Sequence, residues 1–599
     1  MTVLYRVAPA NPREHLFRIV CELADPDPAG QVFRLPSWIR GSYLVRDFAK
    51  HVTWLCAFDG DAPLAVERLD KRSFRVAPCA GPLRLVYEVY AYDESVRKAW
   101  LDLRRGFFNG SSLFYCPDGR AQGPFEVELS PPTDPECGAW RVATTLSTVR
   151  VDAAGFGRYR AADYEELIDH PVELGLFERL DFDAGGVPHA LVLSGRVELD
   201  RARIVSDLSK ICRVERAMFG DEPAMEQYLF LTRVVGNGYG GLEHRNSTAL
   251  ICARGDFPRE GDARLTRDYR AFLGLCSHEY FHLWNVKRIN AQRFLKSDLG
   301  TEAYTRDLWH YEGVTSYYDD LFLRRAGVLD AESYLDLVAE NATRLERTPG
   351  RKLQTLADAS FEAWTKYYQP DENTPNQAVS YYVKGALVAL CLDLLLRLRS
   401  KITLDDVMRA LWRDYGARHR GVPEGGLEKV AQQLSKLDLK PFFDAALRST
   451  AELPLTELLA EFGVRAVRRA AQSDNDPGGR ATGSALAAVC GFKLKADLRV
   501  AQVFSGGAAA RAGLAVNDQL IALDGLRLTN AARLQTLTPG QRYSLSVFRD
   551  DELQTLTLMP EAPPLDTWTL TLDEAASDAA RTRRAAWLAT TLATTLATT

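Results

Sequence analysis

Two histidines and a glutamate stand close together in the segment 278–282, which reads His-Glu-Tyr-Phe-His. Four residues advance a helix by about one turn, so His278 and His282 would project from one face. Two imidazole nitrogens at that separation suit tetrahedral zinc. Glu279, turned about 100° from the first histidine, would reach a water on the metal and act as general base. The pattern also arises by chance, but only nine histidines are present and two fall here.

A catalytic zinc ion usually takes three protein ligands and keeps one position for water. Glu312, in the segment 308–318, offers a carboxylate on a second predicted helix and would complete a His/His/Glu site. His310 is the rival ligand, although two residues away on a helix it faces elsewhere. Asp319 returns to the face of Glu312 and would hydrogen-bond a ligand imidazole. The alternative for Asp319 is a solvated surface acid beside Asp320.

The elements that must position these residues differ along the chain. Residues 1–175 carry short alternating or β-branched runs between Pro/Gly/Asp clusters, which predicts an antiparallel β-sandwich. Residues 176–470 are predicted to form a mixed domain that ends in helices. The sequence predicts strands at 15–23, 83–90, 226–235 and 247–253, and helices at 264–294, 304–327, 330–347, 376–400 and 403–416.

The C-terminal part begins with a polar linker at 472–479, which is rich in turn-forming residues. Residues 483–560 form a compact segment with strand-like runs at 498–504, 519–523 and 543–548. Residues 561–599 are interpreted as a C-terminal tail, because they end in a short Leu-Ala-Thr-Thr repeat. No function is assigned to that repeat.

Charge and hydropathy exclude two classes of partner. The formal net charge is -5, which argues against nucleic acid, since such binders use a basic face. The longest apolar stretch, 386–396, is interrupted by Asp393 and is too short to span a bilayer. The N-terminus has no basic region followed by an apolar one. We therefore expect a soluble cytoplasmic protein without a membrane partner.

The motifs taken together resemble the glycyl aminopeptidase family of gluzincin metallopeptidases. The resemblance implies a multidomain α+β protein: an N-terminal β-sandwich, a thermolysin-like zinc catalytic domain with a helical C-terminal part, and further C-terminal structure. It also implies Zn²⁺ as cofactor, peptides as substrates and glutamate as third ligand, and it covers about 1–560. The stretches that carry it are 36–51, 240–247, 278–288, 309–318 and 380–386.

Two further site residues follow from this resemblance. Glu243, in a Gly-Gly-Leu-Glu-His stretch, matches the glutamate that binds the substrate's free α-amino group, and a fixed carboxylate pairs well with an ammonium. Relatives have Asn where His244 stands and Met where Leu242 stands. Tyr382 matches a tyrosine that donates to the oxyanion of the tetrahedral intermediate, although the adjacent Tyr381 could be the one that faces the site. The family preference implies Gly, and also Ala, as the first residue.

Residues 483–560 resemble a PDZ domain, through a run from Ser505 to Leu514 and an Asp-Gln-Leu-Ile-Ala-Leu-Asp-Gly stretch at 518–525. Such a groove takes an extended peptide by β-augmentation, and here its edge would lie near 491–495. A structural appendage is the alternative. Two other functions stay open beside the zinc aminopeptidase: a zinc endopeptidase, which would not need Glu243, and a catalytically inactive peptide-binding PDZ protein.

Overall fold

The computed structural model describes residues 2–590 apart from 221, 222 and 224. The chain divides into two units, Met1–Ala303 with Trp412–Val422, and Tyr304–Leu411 with Pro423–Thr599. The boundary falls inside the predicted 176–470 region, and each unit is described by itself. None of the helices in the described part of the chain combines the length and apolar character that crossing a bilayer requires.

The N-terminal part is β-rich, as predicted. In strand Val3–Asn11 every second residue from Val3 to Pro9 is buried, and the residues between them are partly exposed. One face of the sheet therefore covers the core. Strands Leu16–Leu23 and Leu83–Tyr90 lie where their alternating patterns predicted them. The eight strands of the largest sheet are, in spatial order, Ser147–Val151, Gly157–Ala161, Phe125–Leu129, Val3–Asn11, Leu16–Leu23, Leu83–Tyr90, Val52–Asp59 and Ala62–Leu64.

Two four-stranded sheets complete this β-rich part, and their apolar faces share one hydrophobic core with the large sheet. One sheet has the order Arg141–Thr144, Val172–Gly175, Arg105–Phe108 and Ala99–Leu101, and the other Cys116–Pro117, Val32–Arg34, Ser73–Val76 and Val66–Arg68. Short helical segments here are Phe48–His51, Gly110–Leu113, Pro135–Cys137 and Tyr164–Ile168.

A five-stranded mixed sheet follows and supports the candidate site. Its order is Phe177–Ala184, Val187–Ser194, Tyr228–Val235, Ser247–Ala253 and Tyr239–Glu243. The second, third and fourth of these strands run parallel, whereas the last is antiparallel to its neighbour and forms the edge. Helices Arg201–Phe219 and Arg267–Phe281, with the short Arg254–Asp256, Gln292–Leu295 and Gly416–Arg418, belong to the same unit.

The helix predicted over 264–294 is wrong in its length. It begins after Thr266, whose side chain accepts a hydrogen bond from the Tyr269 amide, and it ends at Phe281. Beyond it, Arg288 donates to the carbonyl of Leu283 and to that of Arg245. The backbone there forms turns, in which the Lys287 amide donates to the His282 carbonyl and the Ile289 amide to that of Trp284. Apolar periodicity alone does not reveal these turns.

The chain after residue 304 is helical, as predicted, up to a strand at Val464–Arg469. Helix Tyr381–Arg399 is buried along nearly its whole length, which matches its apolar sequence. The helical segments are Trp309–Gly313, Val314–Arg325, Ala331–Glu346, Pro349–Lys352, Leu356–Phe361, Ala363–Tyr367, Thr374–Gln377, Tyr381–Arg399, Leu404–Asp414, Gly426–Ser435, Lys440–Leu447 and Leu455–Glu461.

The segment 561–599, which the sequence left as a tail, contains regular structure up to residue 590. Strand Thr567–Leu572 pairs antiparallel with Val464–Arg469, and helix Asp578–Trp587 ends in a tryptophan that is 1% exposed. The indole of Trp587 donates to the Tyr317 hydroxyl at 3.3 Å. This part of the chain therefore packs into the helical unit. Residues 591–599 of the repeat lie outside the described residues.

Residues 483–560 have a hydrophobic core of their own. The polar stretch before them is not an open linker, because Asp476 accepts hydrogen bonds from the Arg469 guanidinium and the Gln472 amide. The strands are Phe492–Leu494 paired with Val500–Val503, and a four-stranded sheet of order Leu526–Arg527, Gln519–Leu523, Tyr543–Arg549 and Glu552–Leu558, with helical turns at Ala508–Arg511 and Ala532–Thr536.

Two buried histidines of the first unit should make stability depend on pH. Burial lowers the pKa of His170 and of His189 from 6.5 to about 4. Between these values the unfolded chain binds more protons, so stability is complete above pH 6.5 and is lost as pH falls through this window. At pH 5 each should cost about 2 kcal/mol. We predict that His170→Asn removes about 2 kcal/mol from the change in unfolding free energy between pH 7 and 5, measured by urea denaturation.

The control is His419→Asn at an exposed position, which should keep the wild-type pH dependence. An unchanged pH dependence in the His170 variant would show that this histidine is already protonated in the folded protein.

Candidate active site

The helix Arg267–Phe281 is held at two neighbouring points within its own unit. The Ser277 hydroxyl donates to the fully buried Glu215 at 2.8 Å. The Tyr280 hydroxyl and the His189 imidazole lie 2.9 Å apart. Ser277 and Tyr280 are three residues apart and share one face, and a helix anchored there keeps the side chains of its opposite face in a constant position. That face carries the predicted histidine pair.

The imidazoles of His278 and His282 lie next to each other, with ring centroids 4.7 Å apart and planes at 87°. His282 directly follows Phe281, the last residue of the helix, but it keeps helical backbone angles, so the predicted spacing still places both rings on one face. Its Nδ1 lies 2.5 Å from the Asn285 carbonyl oxygen. Because a carbonyl only accepts, Nδ1 carries the proton and Nε2 the lone pair that a metal needs. The pair therefore fits zinc.

The edge strand Tyr239–Glu243 lies directly against this helix. A Cβ atom placed on Gly241 would be 2.0 Å from Oε1 of Glu279, so only glycine leaves room for that carboxylate. The Gly241 carbonyl accepts from Arg97 at 3.2 Å, which fixes the strand at this point. Residues two apart in a strand face the same side, so Glu243 points toward Glu279 as well.

The structure brings Glu243, Glu279 and His282 together. Each offers one atom that could bind a metal, and these three atoms lie within 4.8 Å of one another. The two glutamates are only 3% and 5% exposed. Two carboxylates this close repel each other, and burial removes the water that would screen them. Oε1 of Glu243 accepts no hydrogen bond from any residue that the structure describes. The cluster is therefore suited to hold positive charge, as a metal ion, an ammonium group or both.

A buried ion-pair network lies beside this cluster, and the sequence did not indicate it. Asp169 accepts from the Lys287 ammonium at 2.6 Å and lies 3.2 Å from Nδ1 of His244. Its other oxygen accepts from the Arg245 amide at 3.2 Å. Burial alone would raise the pKa of Asp169, but Lys287 and His244 lower it well below its usual range. The Asp169 carboxylate thus connects His244 with Lys287, which lies in the turns that follow helix Arg267–Phe281. No local pattern marks Asp169, because its partners are far away in sequence.

The second unit contains Glu312, which is 2% exposed, in a π-helical turn at Trp309–Gly313 rather than in the predicted α-helix. Such turns are frequent at functional sites. Gly313 follows it and packs against Gly385, where a Cβ would come within 2.5 Å of the facing Cα. This close approach puts Tyr382 near Glu312. Burial first and then the charge of Glu312 raise the pKa of the Tyr382 hydroxyl well above its usual value, so the phenol stays a donor.

The remaining predicted residues of this unit are placed as follows. Tyr381 is fully buried, whereas Tyr382 is half-buried and its hydroxyl lies 3.2 Å from that of Tyr368. This favours Tyr382 over Tyr381 as the residue that reaches a substrate. Asp319 accepts a hydrogen bond from the Asp320 amide, and its role beside a ligand imidazole stays a prediction. His310 is buried and stacks on Tyr311, with ring centroids 4.4 Å apart.

Comparisons with known proteins give two family models and one close structural relative. The model of the Peptidase M61 N-terminal domain matches residues 4–176, and that of the M61 glycyl aminopeptidase matches residues 271–388. The crystal structure of an aminopeptidase N family protein from Idiomarina loihiensis is 39% identical with a TM-score of 0.94, and the match covers 98% of this chain and 100% of that one.

Two other similarities are weaker. An M1 zinc metallopeptidase from Deinococcus radiodurans is 14% identical with a TM-score of 0.48, over 76% of this chain and 95% of that one, which is too low to bear on function. A probable periplasmic serine endoprotease DegP-like from Pseudomonas fulva is 35% identical over 99 residues, 16% of this chain. The match spans only 20% of that relative's length.

The histidine pair generates a test of metal binding. We predict that the protein binds zinc and that His282→Gln weakens binding at least about 100-fold, since partners outside the ligand shell alone are worth 10–100-fold. The measurement is competition with a chromogenic chelator. The exposed histidine variant His419→Gln should bind like the wild type. Equal zinc affinity of the two variants would exclude His282 as a ligand.

Proposed function

The chain belongs to the M61 glycyl aminopeptidase family and is therefore a peptidase, and we propose that it is a zinc aminopeptidase that releases N-terminal glycine, and also alanine, from peptides. One observation supports this above all. Glu243 and Glu279 bring two buried carboxylates to the His282 imidazole, within 4.8 Å of one another. Such a cluster offers a place for a metal and, beside it, for the ammonium of a peptide N-terminus.

We propose His278, His282 and Glu312 as the zinc ligands. The two imidazoles and the carboxylate form a donor set that catalytic zinc sites use, and the family motif supplies Glu312 as the third member. A zinc ion held there would acidify a water molecule and polarise the carbonyl of the scissile bond. Zinc is thus the cofactor that we expect in the purified enzyme.

The proton transfers fall to Glu279. Its carboxylate would take a proton from the attacking water and deliver it to the departing amine. Gly241 leaves the space in which this carboxylate sits, since any larger residue would displace it. Tyr382 would donate a hydrogen bond to the substrate oxygen as negative charge develops on it. Its raised pKa keeps the hydroxyl protonated for that role.

Glu243 would make the enzyme an exopeptidase. Its buried carboxylate attracts the α-ammonium of a free peptide and leaves no place for a longer chain on that side. The strand that carries it is at the sheet edge among the described residues. A substrate backbone can therefore pair with Tyr239–Glu243 as an added strand, which would align the first peptide bond with Glu279.

Three further proposals concern the domains of the chain and its location. Residues 176–470 would correspond to a thermolysin-like catalytic region, because a mixed sheet precedes a helix with the zinc motif. Residues 483–560, with their own core and small sheets, would be a PDZ domain able to bind a peptide near 491–495. A cytoplasmic location stays a prediction from the N-terminal sequence.

The role of Glu279 can be separated from that of the metal ligands. We predict that Glu279→Gln lowers kcat for a glycyl chromogenic substrate by at least about 10³-fold, since a general base contributes 10²–10⁴-fold. Zinc content, measured by atomic absorption, should equal that of the wild type because Glu279 is not one of the proposed ligands and glutamine keeps its size. Turnover near the wild-type rate would remove Glu279 from the mechanism.

Amine capture distinguishes the aminopeptidase from an endopeptidase. The wild type should cleave a free glycyl substrate but not its N-acetylated form, and a chelator should abolish cleavage. We predict that Glu243→Gln, which keeps the shape and removes the charge, raises KM for the free substrate about 10–100-fold, the worth of a charged hydrogen bond. Cleavage of the acetylated substrate at a similar rate would instead indicate the endopeptidase.

A further inference from the structure

The carboxylate of Glu243 rests on the Cα atom of Gly41, in the N-terminal β-rich part of the chain. A Cβ atom at Gly41 would lie 2.3 Å from Oε1 and 2.4 Å from Oε2 of Glu243. Both oxygens thus occupy the space that any other residue at position 41 would fill. The φ angle of Gly41 is +91°, which also favours glycine. Glycine has a hydrogen where other residues have a Cβ, and this leaves the space to the carboxylate.

The loop that carries Gly41 is firmly held. The Ser37 amide donates to the Leu299 carbonyl at 2.8 Å, and the Ser37 carbonyl accepts from the Arg46 amide at 2.7 Å. The Trp38 indole donates to the Thr301 carbonyl at 2.8 Å. A loop tied at both ends presents its central glycine in a constant position. The backbone at Gly41, next to the Glu243 carboxylate, is therefore held in place by these hydrogen bonds.

The same part of the chain also holds the residues that follow the strand. His244 and Arg245 come directly after Glu243, the last residue of the strand. There Asp169 lies 3.2 Å from His244 Nδ1 and accepts from the Arg245 amide at 3.2 Å. Asp169 thus holds the residues that follow Glu243, while Gly41 limits the space of the Glu243 carboxylate. A buried oxygen confined in this way stays aimed at whatever cation it binds.

We propose that Gly41 is a positioning residue for amine recognition, through which the N-terminal β-rich part forms one wall of the subsite for the substrate's first residue. The proposal rests on the proposed function, since it assumes that Glu243 binds the α-ammonium. A side chain at position 41 would displace the carboxylate and weaken binding of the free amine. The proton transfers at Glu279 do not depend on this contact, so kcat should change much less than KM.

The test compares two glycine substitutions. Gly41→Ala should raise KM for a free glycyl substrate about 10-fold or more, the loss of a charged hydrogen bond, with kcat within about 3-fold of the wild type. Gly119→Ala is the matched control: its φ of +79° imposes similar backbone strain, but nothing lies within 4 Å of the added atom. It should keep wild-type KM. An unchanged KM in Gly41→Ala would overturn the proposal.

A double variant isolates the contact. In a Glu243→Ala chain no carboxylate remains for position 41 to place, so adding Gly41→Ala should not change KM further. Equal increases in both backgrounds would show that Gly41 acts elsewhere. If Gly41→Ala alone does not fold, the double variant should fold, because the clash is gone. Failure of both to fold would assign Gly41 to the fold only, against the proposal.

The two proposals fail in different ways. Should Glu243→Ala leave KM for the free substrate unchanged, amine capture itself is wrong. Should Glu243→Ala raise KM while Gly41→Ala behaves like Gly119→Ala, amine capture stands and only the role of Gly41 is wrong.

Discussion

Two carboxylates of like charge, Glu243 and Glu279, are held close together in a nearly water-free part of the protein, beside the His282 imidazole. Burying one such charge is costly, and burying two together is more so unless a cation compensates them. The fold maintains this arrangement through a helix anchored at Ser277 and Tyr280 and an edge strand packed against it. The cluster is therefore suited to a cation, which would compensate the two carboxylates.

Glycine makes this proximity possible. Gly241 lies where Glu279 needs space, and Gly41 lies where Glu243 needs it. In both places the polypeptide backbone itself contacts a carboxylate. A backbone surface cannot rotate away as a side chain can, so it fixes charge more precisely. The catalytic geometry thus depends on residues that have no chemistry of their own.

Local sequence patterns predicted several strands and the helix that carries the histidine pair. They did not predict where that helix ends or which residues far apart in sequence form ion pairs. Alternation predicted Leu83–Tyr90 correctly, because one face of this strand lies on a core. The run 247–253 is also a strand, as predicted, and it is buried on both faces at residues 247–250. The helix with the histidine pair was expected to reach 294, but it ends at Phe281, and the chain continues in turns in which the Lys287 and Ile289 amides donate to carbonyls five residues earlier. The sequence did not indicate the role of Asp169, because its partner Lys287 lies far away along the chain.

The position of Glu312 shows the same limit in another form. Its type and spacing predicted a ligand on a helix, but the turn that carries it is wider than an α-helix. The cause is tertiary: Gly313 packs on Gly385 of the neighbouring helix so closely that their backbones nearly touch. An inserted residue in that turn shifts the side chains that precede it relative to those that follow. Which face Glu312 occupies is therefore set by the packing of two glycines, and no helical periodicity read from the sequence could give it.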